Sequence, residues 1–240
     1  MPRFFVENPD KEKIELQGES ANHIIHSLRM NVGDSITICD GKSNDYLCTI
    51  TDIYPNTVVL KVDECVNNIN EPNKNIHLYQ AMPKGSKFEY IIQKSVELGV
   101  TGITPVLTKR CISRPNAKSI KNKIIRYNKI AEQAAKQSGR GIIPIVYPML
   151  SFEEAILDMK KSHINILFYE CGGEKLNNID MDNNKNINFM IGSEGGFEID
   201  EVNFAKKEGL IIGSLGNRIL RCETAPVCVL SILMYKTKNL

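Results

Sequence analysis

The pattern of apolar and polar positions changes rhythm near residue 70. Before it, apolar residues fall in short alternating runs broken by close turns. Residues 4–6, 14–16, 35–39, 46–53 and 57–62 read as strands, with Asp40-Gly41 and Pro55-Asn56 as tight turns. Ile24, Ile25 and Leu28 instead share one helical face and predict a helix over 19–30. Short strands with close turns predict a small β-barrel. Residues 67–75 are polar, carry a proline and have no period, so they read as a linker.

Beyond the linker, strands alternate with helices. Strands are predicted over 76–82, 103–107, 142–146, 164–169, 187–191 and 210–212. Helices are predicted over 85–98, 119–138, 151–159 and 223–235, with a short polar-faced one after Gly196. Phe88, Ile91, Ile92 and Val96 share a face of the first helix, which Gly99 stops. This alternation predicts a mostly parallel α/β sheet. The expected domains are 1–71 and 72–240, and the Asn-rich segment 177–188 is expected to be a solvated loop.

Two of these strands end in glycine turns. One is Gly192-Ser193-Glu194-Gly195-Gly196; the other is Leu215-Gly216, followed by Asn217-Arg218-Ile219-Leu220-Arg221. Ligands of open α/β sheets bind at the carboxyl ends of strands. Small residues let a ligand approach the backbone, and a helix N-terminus behind the turn offers N–H donors. Either feature alone also fits a plain βα turn. No G-x-G-x-x-G, P-loop, G-x-S-x-G or H-E-x-x-H stands in the chain. An arginine is no base at neutral pH, which leaves phosphate contact, charge stabilisation or ion pairing with Glu194 or Glu223 for Arg218 and Arg221.

Composition narrows the classes. A net charge of +2 gives no global basic signal, so nucleic acid would have to be met by local patches. Lys84, Lys109 and Arg110 sit just past strand ends, with Arg114 and Arg140 following, and suit a phosphate backbone. Lys87, Lys118, Lys121 and Lys123 read as solvated surface. Seven scattered cysteines without a C-x-x-C pair argue against zinc and for a reducing cytoplasm. His23 and His26 lack further ligands, and no metal is expected; they, His77 and His163 read as satisfied surface or core histidines. No apolar run approaches membrane-spanning length, and the N-terminus has no apolar signal core. The expectation is a soluble cytoplasmic protein.

IGSEGG followed by LGNRILRCETA resembles the signature of the bacterial 16S rRNA uracil-N3 methyltransferases of the SPOUT superfamily. AMPKGSKFEYIIQKSVELGV, EQAAKQSGR, RFFV and the His23 to Arg29 run are similar to further family segments, so the likeness spans the chain. It implies a PUA-like RNA-binding barrel over 1–71 and, over 72–240, a SPOUT domain with a C-terminal trefoil knot. It also implies a homodimer, 16S rRNA or the small ribosomal subunit as partner, and S-adenosylmethionine as cofactor. The cofactor would lie against Tyr169 and Glu170; Ile191, Gly192, Gly195 and Gly196; and Leu215, Gly216, Ile219 and Leu220. Catalytic roles fall to Arg218, Arg221, Glu194 and Glu223, the arginines stabilising a uracil deprotonated at N3 and a carboxylate serving as base. RNA contacts fall to Lys84, Lys109, Arg110, Arg114, Arg140 and Arg29. Ser193 stands where the family usually has proline, and Glu198 where it often has Ser or Thr. The alternatives are a SPOUT methyltransferase for a ribose 2′-hydroxyl or tRNA, against which RILRCETA argues, and a non-catalytic RNA-binding protein. Calorimetry would separate the last, which has no saturable cofactor site.

Overall fold

A computed structural model describes residues 1–181 and 186–240. The chain divides into two compact units, one of residues 1–71 and 135–143, the other of 72–134 and 144–240.

The first unit carries strands β1 (Arg3–Phe5), β2 (Lys13–Gln17), β3 (Ser35–Cys39), β4 (Asn44–Tyr54) and β5 (Thr57–Asn67). They pair in the order β1-β3-β4-β5-β2 as one curled sheet, a half-barrel. Register shifts at Leu47/Cys48 and Ile50/Asp52 bend the long β4–β5 hairpin, as bulges do. Ile14, Leu16, Ile36, Ile38, Ile50 and Leu60 point into its core. The expected helix over 19–30 becomes an α-turn, α1 (Gly18–Asn22), followed by a π-helix, His23–Leu28. The wider turn keeps Ile24 and Ile25 on the core but rotates Leu28 out to 39% exposure. Two ion pairs close the unit. Arg3 grips Asp45 at 2.6 and 2.7 Å, and Arg140 grips Glu71 at 2.6 and 3.2 Å.

The second unit holds β6 (Asn75–Ala81), α2 (Lys87–Glu97), β7 (Gly102–Leu107), most of α3 (Ala117–Gln137), β8 (Ile145–Val146), β9 (Leu150–Ser151) and α4 (Phe152–Met159). Then follow β10 (Ile164–Phe168), β11 (Glu174–Lys175), β12 (Asn186–Ile191), α5 (Ile199–Lys207), β13 (Ile211–Ser214) and α6 (Thr224–Lys236). The sheet order is β11-β13-β10-β12-β6-β7-β8, with β9 also on β7, and these pairings are parallel. Buried parallel strands read as continuous apolar runs, as Phe189 to Ile191 does. His77 is the satisfied histidine expected: its Nε2 lies 2.8 Å from Thr104 Oγ1, its ring packs on Tyr79, and burial pulls its pKa down to about 4.

Two further expectations change. The strand predicted over 142–146 shrinks to Ile145–Val146, because the N–H groups of Gly141 and Ile142 donate to the Glu71 carboxylate instead of a ladder, and Pro144 has no N–H. The segment 177–188 is not a simple solvated loop: Ile179 and Met181 are buried, and β12 begins at Asn186. Its residues 182–185 lie outside the described residues.

Candidate active site

The carboxyl ends of β10, β12 and β13 and the start of α6 surround a cavity of about 370 Å³, within the range of small-molecule sites. Each strand supplies one loop. Tyr169 and Glu170 follow β10; Ile191 ends β12 and leads into Gly192, Gly195 and Gly196; Leu215, Gly216, Ile219 and Leu220 follow β13. All ten residues expected against a cofactor line this one cavity, as do Glu194, Arg218 and Arg221.

The glycines are required by shape. Gly196 has φ +69°, and a Cβ there would run into the Glu170 carboxylate. A Cβ on Gly192 would come 3.0 Å from Gly196 Cα. The Gly196 N–H donates to the Ser193 carbonyl at 3.0 Å, which closes the turn without the family's usual proline. Gly216 has φ +93° and open space where a Cβ would be.

The glycine turn is braced from behind by cations expected to meet RNA. Arg110 donates to the Gly195 carbonyl at 2.8 Å and to Glu198 at 2.9 and 3.2 Å. The Lys109 ammonium pairs with Asp200, and its N–H donates to Glu201 at 2.9 Å. Arg114 folds back onto the carbonyls of Thr108, Lys109 and Cys111. Glu198 forms a capping box with Glu201, its N–H donating to that carboxylate at 2.9 Å, and its own carboxylate also pairs with Arg110. Lys84 is exposed, as is Arg29. Arg140 requires a correction. It is 2% exposed and gripped by Glu71, so its guanidinium is built into the first unit and not presented to RNA.

The charges on the cavity wall are arranged differently from expectation. Neither Arg218 nor Arg221 forms an ion pair among the described residues, and both are exposed. Lys87 instead takes both acids, its Nζ 3.2 Å from Glu194 and 3.2 Å from Glu223. Reading Lys87 as solvated surface missed this. One signal was available: a lysine at the first position of a helix opposes the helix dipole, so its presence points to nearby carboxylates.

Burial acts to raise the pKa of Glu194, but N–H donors, including that of Lys84, and the Lys87 ammonium outweigh it and hold the group below the ordinary range. Burial likewise opposes, and the Cys222 thiol, the residue's own N–H and Lys87 overcome, the effect at Glu223. Burial, then Glu223, pushes Cys222 up to about 12, so it stays a thiol and donates to Glu223 at 3.2 Å. A base for a weakly acidic proton needs the opposite shift, so neither Glu194 nor Glu223 shows the shift that the expected base role calls for.

The residues present fit S-adenosylmethionine. Carboxylates at Glu170 and Glu194 suit its sulfonium charge, the side chains of Ile191, Leu215 and Leu220 suit an apolar contact with its purine, and the side-chain-free backbone at Gly192 and Gly216 leaves room for close approach. Among the described residues, no group of three or more His, Cys, Asp or Glu could hold a metal ion.

Residues 70–234 match the family model of an RNA methyltransferase domain, and residues 16–63 that of an RNA methyltransferase PUA domain. The chain is 32% identical over 254 residues to ribosomal RNA small subunit methyltransferase E of Bacillus subtilis, covering 100% of this chain and 98% of that one. It superposes on ribosomal RNA small subunit methyltransferase E from Neisseria gonorrhoeae bound to S-adenosyl methionine with a TM-score of 0.91 at 32% identity, covering 98% of each chain. A putative methyltransferase from Legionella pneumophila in complex with the bound cofactor SAM gives 0.89 at 28% identity, covering 98% of this chain and 97% of that one. With glycine turns, cavity and both domain matches in agreement, the chain belongs to the ribosomal RNA small subunit methyltransferase E family.

Proposed function

We propose that the protein transfers a methyl group from S-adenosylmethionine to N3 of a uridine in 16S ribosomal RNA of the small subunit. The observation that carries the reading is the one cavity in which three strand-end loops bring together a glycine cradle, two carboxylates and two arginines that form no ion pair among the described residues.

N3 of uracil carries an imide proton and attacks poorly until that proton leaves. The bound cofactor supplies an electrophilic methyl group on a cationic sulfur. The N3–H bond breaks with its electron pair left on nitrogen, the proton goes to water, and negative charge spreads onto O2 and O4. Arg218 and Arg221 stabilise that charge, being exposed on the cavity wall and held by no carboxylate among the described residues. N3 lies on the Watson–Crick edge, so the uridine must be unpaired or extruded. The half-barrel unit, Arg29, Lys84 and the exposed parts of Lys109, Arg110 and Arg114 hold flanking RNA in this reading.

The topology supports a knot. β13 lies beyond β10, whereas α6 packs on α2, which follows β6 on the far side of β12. Residues 215–223 therefore return across the carboxyl ends of β10 and β12, where the loops after those strands can enclose them. A homodimer is supported by α6, which is apolar all round: Val229, Leu230 and Leu233 are buried, Val227, Cys228 and Ile232 are half-buried, and Tyr235 is 74% exposed. No helix among the described residues is long and apolar enough to cross a membrane, and ribosomal RNA as substrate fits the cytoplasm.

Mass mapping of rRNA from a strain lacking the gene tests the reading; loss of one methyl on a 16S uridine is expected, and unchanged methylation overturns it. Arg218→Ala and Arg221→Ala should each lower kcat about 100-fold, and full transfer by both removes the arginines from the mechanism.

A further inference from the structure

We propose that Lys87 is a positioning residue for methyl transfer: its ammonium, shared between Glu194 and Glu223, ties the glycine turn after β12 to the start of α6 and leaves neither carboxylate to act as base. The inference rests on the reading of this cavity as the methyl-transfer site.

Three elements meet at one nitrogen. Lys87 opens α2, Glu194 sits in the glycine turn, and Glu223 precedes α6, with the two Nζ–oxygen distances equal at 3.2 Å. Each carboxylate has a second donor. The Lys84 N–H reaches Glu194 at 3.1 and 3.4 Å, and the Cys222 thiol reaches Glu223 at 3.2 Å. Lys87 also touches Cys222, at 4.0 Å between Nζ and Sγ. The loop that bears Arg218 and Arg221 ends at this Cys222-Glu223 pair, so the position of both arginines over the cavity depends on where Glu223 is held.

The cluster's charge has a direct consequence. One ammonium and two carboxylates give the cluster itself a charge of −1, which the arginines on the loop after β13 offset. Their surroundings are Lys84 and Lys87 at the start of α2, Arg218 and Arg221 after β13, Cys222 beside Glu223, and Glu170 after β10. Both carboxylates are held as anions by two donors or more, so taking up a proton from an imide would break the clamp. The N3 proton therefore goes to water, and the acid limb of the pH profile belongs to the uracil.

Carboxylate titration by carbon-13 NMR of the full chain, together with methyl transfer across pH, tests this. In the wild type, Glu194 and Glu223 should titrate below the ordinary glutamate value, and Lys87→Met should move both upward. The same variant should lower kcat by roughly tenfold or more, with Lys87→Arg restoring it to within about threefold. Glu194→Gln and Glu223→Gln should each cost less than about tenfold and keep the acid limb. Adding Glu194→Gln to Lys87→Met should cost little more than Lys87→Met alone, since both cut one clamp.

The proposal is overturned if either Gln variant loses roughly 100-fold or more together with the acid limb, as loss of a general base does. It is also overturned if the wild-type carboxylates titrate at the ordinary value, or if Lys87→Met keeps full kcat. Should Lys87→Met not fold, the wild-type titration and the Gln variants decide alone. Should the wild type methylate no 16S uridine, the functional reading falls, while the titration still decides the clamp.

Discussion

Two ion clusters, Arg140–Glu71 in the first unit and Lys87–Glu194–Glu223 in the second, are built from the same chemistry and do opposite work. Arg140 and Glu71 have side chains 3% and 14% exposed, and the pair is bidentate. Glu71 also accepts from the N–H groups of Gly141 and Ile142, which saturates it. Neither residue lines the cavity. Lys87 makes one contact to each of two carboxylates, remains a third exposed, and forms part of a cavity wall. Saturation and burial make a charge cluster structural; shared single contacts at the edge of a cavity leave it able to respond to what binds.

Removing a partner from the closed cluster should give the largest effect. Arg140→Met leaves the largely buried Glu71 carboxylate without its counter-charge and should cost about 3 kcal/mol of stability, measured by urea unfolding. The same variant, where folded, should bind RNA with an unchanged salt dependence, because Arg140 contacts no phosphate. A slope of log K against log salt that falls by about one would restore Arg140 as an RNA contact.

A smaller effect is expected at Arg110, which stands between the two cases. It is exposed yet braces the Gly195 carbonyl, so Arg110→Ala should loosen the glycine turn and weaken S-adenosylmethionine binding roughly two- to fivefold by calorimetry. Equal cofactor affinity in wild type and variant would leave Arg110 to RNA alone.

What the chain reveals before folding follows from the range of each interaction. The strand over 187–191 and the turn at Gly192 to Gly196 are local features, since an apolar run and a positive-φ glycine announce themselves within a few residues. The cavity residues were readable for that reason. The clusters were not. Arg140 meets Glu71 across 69 positions and Lys87 meets Cys222 across 135, so only the fold decides which cation is paired with what. Reading the two alone reverses them, Arg140 as an RNA contact and Lys87 as inert surface. The truncated strand at Ile145–Val146 has the same origin, because the distant Glu71 takes the N–H groups a ladder would have used. Leu28 shows a local failure instead: its helical spacing is correct, but the π-turn rotates it away from the core.

The least effect should come from a cation belonging to neither cluster. The Lys84 side chain is exposed, and it is the backbone N–H of that residue that donates to Glu194. Lys84→Ala keeps that N–H, so the Glu194 geometry, the fold and cofactor affinity should all stay as they are. What is lost is one exposed positive charge on the residue whose N–H holds Glu194. RNA affinity should fall about equally for any sequence, and the slope of log K against log salt should shrink by about one. The three cations then form a graded series. Arg140 is read by stability, Lys87 by turnover and Lys84 by salt dependence alone. A Lys84→Ala variant that lost cofactor binding would break the series, because its side chain would then belong to the Lys87 clamp.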